Sequence, residues 1–127
     1  MTTIQLELPI PEALPNELFT TALEGGIGYW SVCVSQYHWS NPDGTEDLTG
    51  FNVTVELTDE EDPEEFIINR DVIELGIKRI LEGGITVNDT IRESLFIAVV
   101  DYENRDCDAE VADCVVQAGL FNEIVYG

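Results

Sequence analysis

Basic residues are scarce in this chain. Five Lys and Arg stand against 26 Asp and Glu, with one His, for a formal net charge of −21. Phosphate recognition needs clustered Lys and Arg, so direct DNA or RNA binding is excluded. An anionic membrane repels the chain for the same reason. Long apolar runs are also missing. No stretch approaches the roughly 20 residues that cross a bilayer. The opening Met-Thr-Thr-Ile-Gln-Leu-Glu has neither the basic start nor the apolar middle of a signal peptide. The cytoplasm is the expected compartment.

Cysteine is sparse and odd in number: Cys33, Cys107 and Cys114. Such a set is no disulfide scaffold. Cys107 and Cys114, if they share a helix, lie about 10 Å apart along its axis, too far for a bridge. The catalytic templates are absent as well: no G-x-S-x-G elbow, no phosphate loop ending in Gly-Lys and no dinucleotide fingerprint. His38 and Cys33 are five apart, on opposite faces of one strand, and Cys107 and Cys114 read as core thiols. Zinc lacks the paired Cys-x-x-Cys spacing. Asp59–Glu65 lacks the alternation, the turn Gly and the closing Glu of a calcium loop. No catalytic, cofactor or metal residue is therefore assigned.

Apolar residues make up 44% of the 127, and they include two Trp, five Phe, four Tyr and twelve Ile. A disordered acidic tail has no such content. Residues 1–127 are expected to form one domain with a real core. The charge is unevenly placed. Residues 1–69 hold 14 acids and no Lys or Arg, residues 70–105 hold all five cations and seven acids, and residues 106–127 hold five acids. A halophile's surface is also acidic and poor in lysine, but the Ile and aromatic content argues against that origin.

Hydrophobic periodicity gives the elements. Residues 3–8 alternate as a half-buried strand, with Ile4, Leu6 and Leu8 on one face. Asn16 is placed to N-cap a short helix carrying Leu18, Phe19, Ala22 and Leu23, and Gly25-Gly26 to end it. Residues 28–39 read as a long strand with Trp30, Val32 and Val34 on one face and Tyr29, Ser31 and Cys33 on the other. The Asn41–Gly44 turn leads to Phe51–Leu57, whose Phe51, Val53, Val55 and Leu57 point inward, and the two strands are expected to pair antiparallel. Phe66–Ile68 reads as a short strand or lead-in. Asp71 and Glu74 form a capping-box variant before a helix carrying Ile73, Ile77, Ile80 and Leu81. A third helix runs from about Asn88 to Ala98, with Ile91, Leu95 and Ala98 inside. A fourth starts near Asp106, with Cys107, Val111, Cys114, Val115 and Ala118 on one stripe, weakened by Gly119. Phe121–Tyr126 closes as a turn and short strand. The expected fold is α+β, a small mainly antiparallel sheet packed by three to four helices.

The pentapeptide Leu-Glu-Gly-Gly-Ile occurs twice, at 23–27 and 81–85. The flanks do not match, so it reads as two helix ends with the same Gly stop and an Ile folding back. Glu24 and Glu82 oppose the helix dipole there and read as solvated surface acids.

Two segments stand out for function. Asp59, Glu60, Glu61, Asp62, Glu64 and Glu65 form the densest charge run. Its plain reading is a solvated loop, and its functional reading is a contact for a basic partner. One duplex turn of about 34 Å carries about 20 charges, and a compact chain of this length measures on the order of 35 Å across. The charge density thus suits a nucleic-acid mimic, provided the acids share a face. The other segment, Gly25–Trp39, supplies Tyr29, Trp30, Tyr37, His38 and Trp39 for a pocket wall. The plain reading of Trp30 and Val32 is core.

The run Thr20–Trp30 (TTALEGGIGYW) resembles a segment in small acidic proteins encoded by bacteriophages of actinobacteria. Asp108–Asp113 (DAEVAD) and Gln117–Gly127 (QAGLFNEIVYG) are similar to theirs too. The likeness covers about a third of the chain and carries no catalytic motif. It implies a viral origin and action in the host cytoplasm, with no mechanism attached. The expected function is that of a phage-encoded accessory protein that binds a basic host or phage protein, nucleic-acid mimicry being one form of this. The alternative is a small-molecule-binding module or enzyme built on Gly25–Trp39.

Overall fold

The computed structural model describes residues 2, 7–34, 51–58 and 61–127. Helix α1 spans Leu14–Thr21 and continues through a π turn over Ala22–Gly26. Strands β1 (Ser31–Cys33), β2 (Asn52–Leu57) and β3 (Glu65–Asn69) follow, then helices α2 (Arg70–Leu81), α3 (Asp89–Val100) and α4 (Ala109–Phe121), with a 3-10 turn over Tyr102–Asn104 before α4. The sheet order is β1-β2-β3, antiparallel throughout. This is the expected small α+β fold. The strand at residues 3–8 and the Asn41–Gly44 turn lie largely or wholly outside the described residues. Glu7 and Leu8, the described part of that strand, have no regular structure.

Alternation in β2 does what the pattern demands. Phe51, Val53, Val55 and Leu57 are buried and join the apolar stripes of the helices in one core. Phe51 stacks on Phe19 of α1 with ring centroids 4.2 Å apart. β1 pairs with β2 as expected, Cys33 opposite Val55, but it is shorter than the long strand read at 28–39. Residues 28–30 form a turn, and everything beyond Val34 in that stretch is outside the described residues. The face assignment fails for the same reason. Trp30 is in the turn, its N–H bonded to the Ile27 carbonyl at 3.2 Å, so the two-residue period does not pass through it. Trp30 is buried, whereas Val32 and Val34 are exposed.

Helix starts also differ from the pattern in detail. α1 begins at Leu14 because Pro15 suits a first turn, where no N–H partner is needed. Asn16 therefore caps nothing, and its Oδ1 is buried without a hydrogen-bond partner. α2 is capped by Asn69, whose side chain accepts from the Val72 N–H, and not by Asp71. Asn88 and Asp108 cap α3 and α4 by the same device. Cys107 falls before α4, outside its apolar stripe. After Phe121 the helix ends on Asn122 in the left-handed conformation, φ 57°, and residues 123–127 form no strand.

The two identical pentapeptides end their helices in different ways. At 81–85, Gly83 takes a positive φ of 82°. Its N–H bonds Ile80 O and that of Gly84 bonds Arg79 O, the paired bonds of a Schellman cap. At 23–27 there is no left-handed glycine and the helix widens into the π turn. Gly26 is required there by packing, since a Cβ would stand 2.9 Å from the Ala109 carbonyl oxygen of α4. Ile27 and Ile85 are both buried, as the folding-back reading requires.

Gly119 has a similar reason. A Cβ on it would meet Val72 O at 2.1 Å, and one on Gly76 would meet Val115 O at 2.0 Å. The two glycines let α2 and α4 cross with their backbones nearly touching.

Candidate functional site

The polar centre of the molecule lies on α4. Asp113 and Gln117, one helical turn apart, are buried. Asp113 Oδ1 accepts from Trp30 Nε1 and from Gln117 Nε2, each at 2.8 Å, and Oδ2 accepts from the Tyr29 hydroxyl at 2.5 Å. Gln117 Nε2 also donates to Tyr126 O at 3.1 Å, and its Oε1 accepts from the N–H groups of Val125 and Tyr126, each at 2.8 Å. The indole of Trp30 stacks parallel on the Tyr126 ring at 5.3 Å. One carboxylate and one amide thus tie the Tyr29-Trp30 turn, α4 and the last residues together. Burial, followed by the hydrogen bond and charge of Asp113, pushes the Tyr29 hydroxyl up to about 12.

A cleft of about 490 Å³ opens beside this network, lined by Gly25, Gly26, Tyr29, Asp113 and Cys114 among others. The structure therefore divides the aromatic candidates. Tyr29 lines the cleft. Trp30 is core and is not part of the cleft lining, and Tyr37, His38 and Trp39 lie outside the described residues. Asp113 and Tyr29 satisfy each other. Burial first, then Asp113 and Glu110, pushes the Cys114 thiol up to about 11, so it stays protonated and unreactive near neutral pH. The arrangement is a structural lock. Asp113 and Gln117 were missed in the sequence, although two polar residues at i and i+4 inside the apolar run Val111–Ala118 were the available signal.

Of the acidic run, Glu61, Asp62, Glu64 and Glu65 are exposed, and Asp59 and Glu60 lie outside the described residues. Glu65 stands directly opposite Glu56 across the β2–β3 pair. Like charges in that position destabilise a sheet, so neither serves the fold. Among the described residues Asp113 is the only buried acid.

The arginines do not neutralise this surface broadly. Arg79 donates to Ala118 O and Gly119 O at 2.8 and 3.1 Å, at the C-terminal end of α4. Arg92 donates to Ile80 O at 3.2 Å, at the C-terminal end of α2, and to Ile85 O at 2.9 Å in the segment that follows. Both place a cation at the negative end of a helix and satisfy its last carbonyls. Arg70 binds Glu74 at 2.8 Å and Glu12 O at 3.0 Å. Arg105 grips both oxygens of Glu17 at 2.6 and 2.8 Å and lies over the Tyr102 ring, whose hydroxyl donates to the same carboxylate. Burial acts to raise the Glu17 carboxyl, but the bonds from Arg105 and Tyr102 outweigh it and hold Glu17 below its ordinary value. These side chains staple the chain to itself.

No group of metal-ligating side chains occurs among the described residues, and no helix there is long and apolar enough to cross a membrane. No protein-family model, curated protein or solved structure matches the chain.

Proposed function

We propose that this is a phage-encoded accessory protein that acts by binding a basic protein in the host cytoplasm. One observation carries the reading. The guanidinium groups are committed to helix-end carbonyls and to Glu17 and Glu74, while all the described acids but Asp113 reach solvent. A field of that sign attracts cationic partners and steers their approach. The exposed Glu61, Asp62, Glu64 and Glu65 belong to this contact surface.

The test is affinity capture from actinobacterial lysate at about 50 mM and about 500 mM salt. It uses the native chain and a variant with Glu61, Asp62, Glu64 and Glu65 changed to Lys. The expected result is a basic protein held by the native chain at low salt, released at high salt and lost with the variant. Retention indifferent to salt and to the four reversals would sink the reading. If duplex DNA competes the captured protein away, the partner's surface is one that binds nucleic acid, and the contact is mimicry.

A further inference from the structure

A second concavity, of about 690 Å³, runs between residues 7–10, α2 and α3. Its apolar surface includes Leu8, Leu75 and Phe96, which are 44%, 38% and 47% exposed. An aromatic ring left half in water on a helix face does nothing for the core. The rim is acidic. Asp71 and Glu74 come from α2, Glu82 from the position just after its last residue and Glu7 from the N-terminal segment, with Lys78 as the groove's one cation. Glu74 is held by Arg70 at 2.8 Å, so Asp71, Glu82 and Glu7 carry the rim's charge. On α2 and just past it these positions follow helical spacing, 71, 74 and 75, 78, then 82, so one stripe carries the groove along three turns, about 16 Å.

We infer that this groove docks an amphipathic helix of the basic partner, its apolar stripe on Leu75 and Phe96 and its Lys and Arg flanks against the acidic rim. The inference rests on the proposed function and says where and how the partner is held. Charge complementarity selects the occupant. A second copy of this chain brings another −21 to the contact, and an anionic membrane is repelled likewise. A cationic partner gains on both counts, from apolar burial and from the rim. Two walls are helices whose backbone groups bond within themselves, so an extended peptide finds no strand edge to pair with there. A helix brings its own backbone bonds and reads such a groove through anchors at i, i+3, i+4 and i+7.

The test uses three synthetic peptides of equal length and charge. The first carries Leu at i, i+3, i+4 and i+7 among Lys. The second is a scramble of the same composition. The third replaces Leu with Ser. Affinities are measured by fluorescence anisotropy at low salt for the native protein, for Leu75→Gln/Phe96→Gln and for the fourfold Lys variant. Both altered apolar residues are partly exposed, and circular dichroism checks that the variants stay folded. The amphipathic peptide should bind at least tenfold more tightly than its scramble, and Leu75→Gln/Phe96→Gln should erase that margin. Equal affinity for peptide and scramble, or a margin that survives the double variant, overturns the groove and leaves the basic-partner reading standing. No binding of any peptide at low salt removes both. A dimer of the native protein that the double variant dissolves would give the groove to a second copy and also overturn the inference.

Discussion

Asp113 carries more consequence than any other single residue. Its two oxygens satisfy Trp30, Tyr29 and Gln117 at once. Asp113→Ala leaves a buried indole N–H and an amide donor short of partners. Such orphans cost about 1–3 kcal/mol each, so a loss of about 2–4 kcal/mol is expected from urea unfolding. Asp113→Asn keeps an acceptor and should cost clearly less; equal losses would show that the network is not what matters. Tyr29 gives a pH signature. Its hydroxyl is raised to about 12 from 10.0, so the fold favours the neutral form. That contribution is complete below the unfolded value near 10 and is lost as pH rises through about 12. Absorbance titration of the phenolate should show a late component near 12 that Tyr29→Phe removes. Glu17 runs the other way. With its carboxyl held below 4.5, its contribution is present above the ordinary carboxylate range and fades as pH falls through the folded value.

Among the elements, the crossing of α2 and α4 is the most demanding of sequence. Helix propensity alone favours Ala over Gly by about 1 kcal/mol. Gly76→Ala and Gly119→Ala should nevertheless each destabilise by about 1–3 kcal/mol, because a Cβ meets backbone oxygen at 2.0 and 2.1 Å. Gly28→Ala, where a Cβ meets nothing within 4 Å, should be neutral or gain up to about 1 kcal/mol. If all three behave alike under denaturant, the close crossing is not real. The same elements show what was legible beforehand. Strong alternation in Phe51–Leu57 and strong helical spacing in α2 and α3 survived intact, because one face of each is fully apolar. The Trp30 face, the caps of α1 and α2, and the end of the first Leu-Glu-Gly-Gly-Ile were misread. Two of these depend on a neighbour distant in sequence, Trp30 on Asp113 and Gly26 on Ala109, whereas the caps turn on local choices, Pro15 in the first turn of α1 and Asn69 before α2. The buried Asp113–Gln117 pair was hidden among 26 acids, where composition makes every carboxylate look like surface. The groove required the fold, since Leu75 and Phe96 come from different helices.

For the whole molecule the dominant fact is unscreened like charge. At low ionic strength the folded chain repels itself, and 0.1 M salt shortens the range of that repulsion to about 10 Å. The melting temperature should therefore rise by several degrees from a few millimolar to several hundred millimolar NaCl. A falling melting temperature would mean that the ion pairs of Arg70 and Arg105 outweigh the repulsion. The same salt that steadies the protein should loosen the proposed basic partner, so the two effects can be separated by measuring stability and affinity in one series.

Lys78 gives that surface an unusual chemical address. The chain has one lysine, and it sits in the α2–α3 groove. Amine-directed chemistry, the α-amino group aside, can mark this protein only there. A short bifunctional ester would record what lies beside Leu75 and Phe96. A fluorophore placed on Lys78 needs no mutation to report on occupancy, and acylating it removes the groove's only positive charge, leaving every remaining ionised side chain along it anionic.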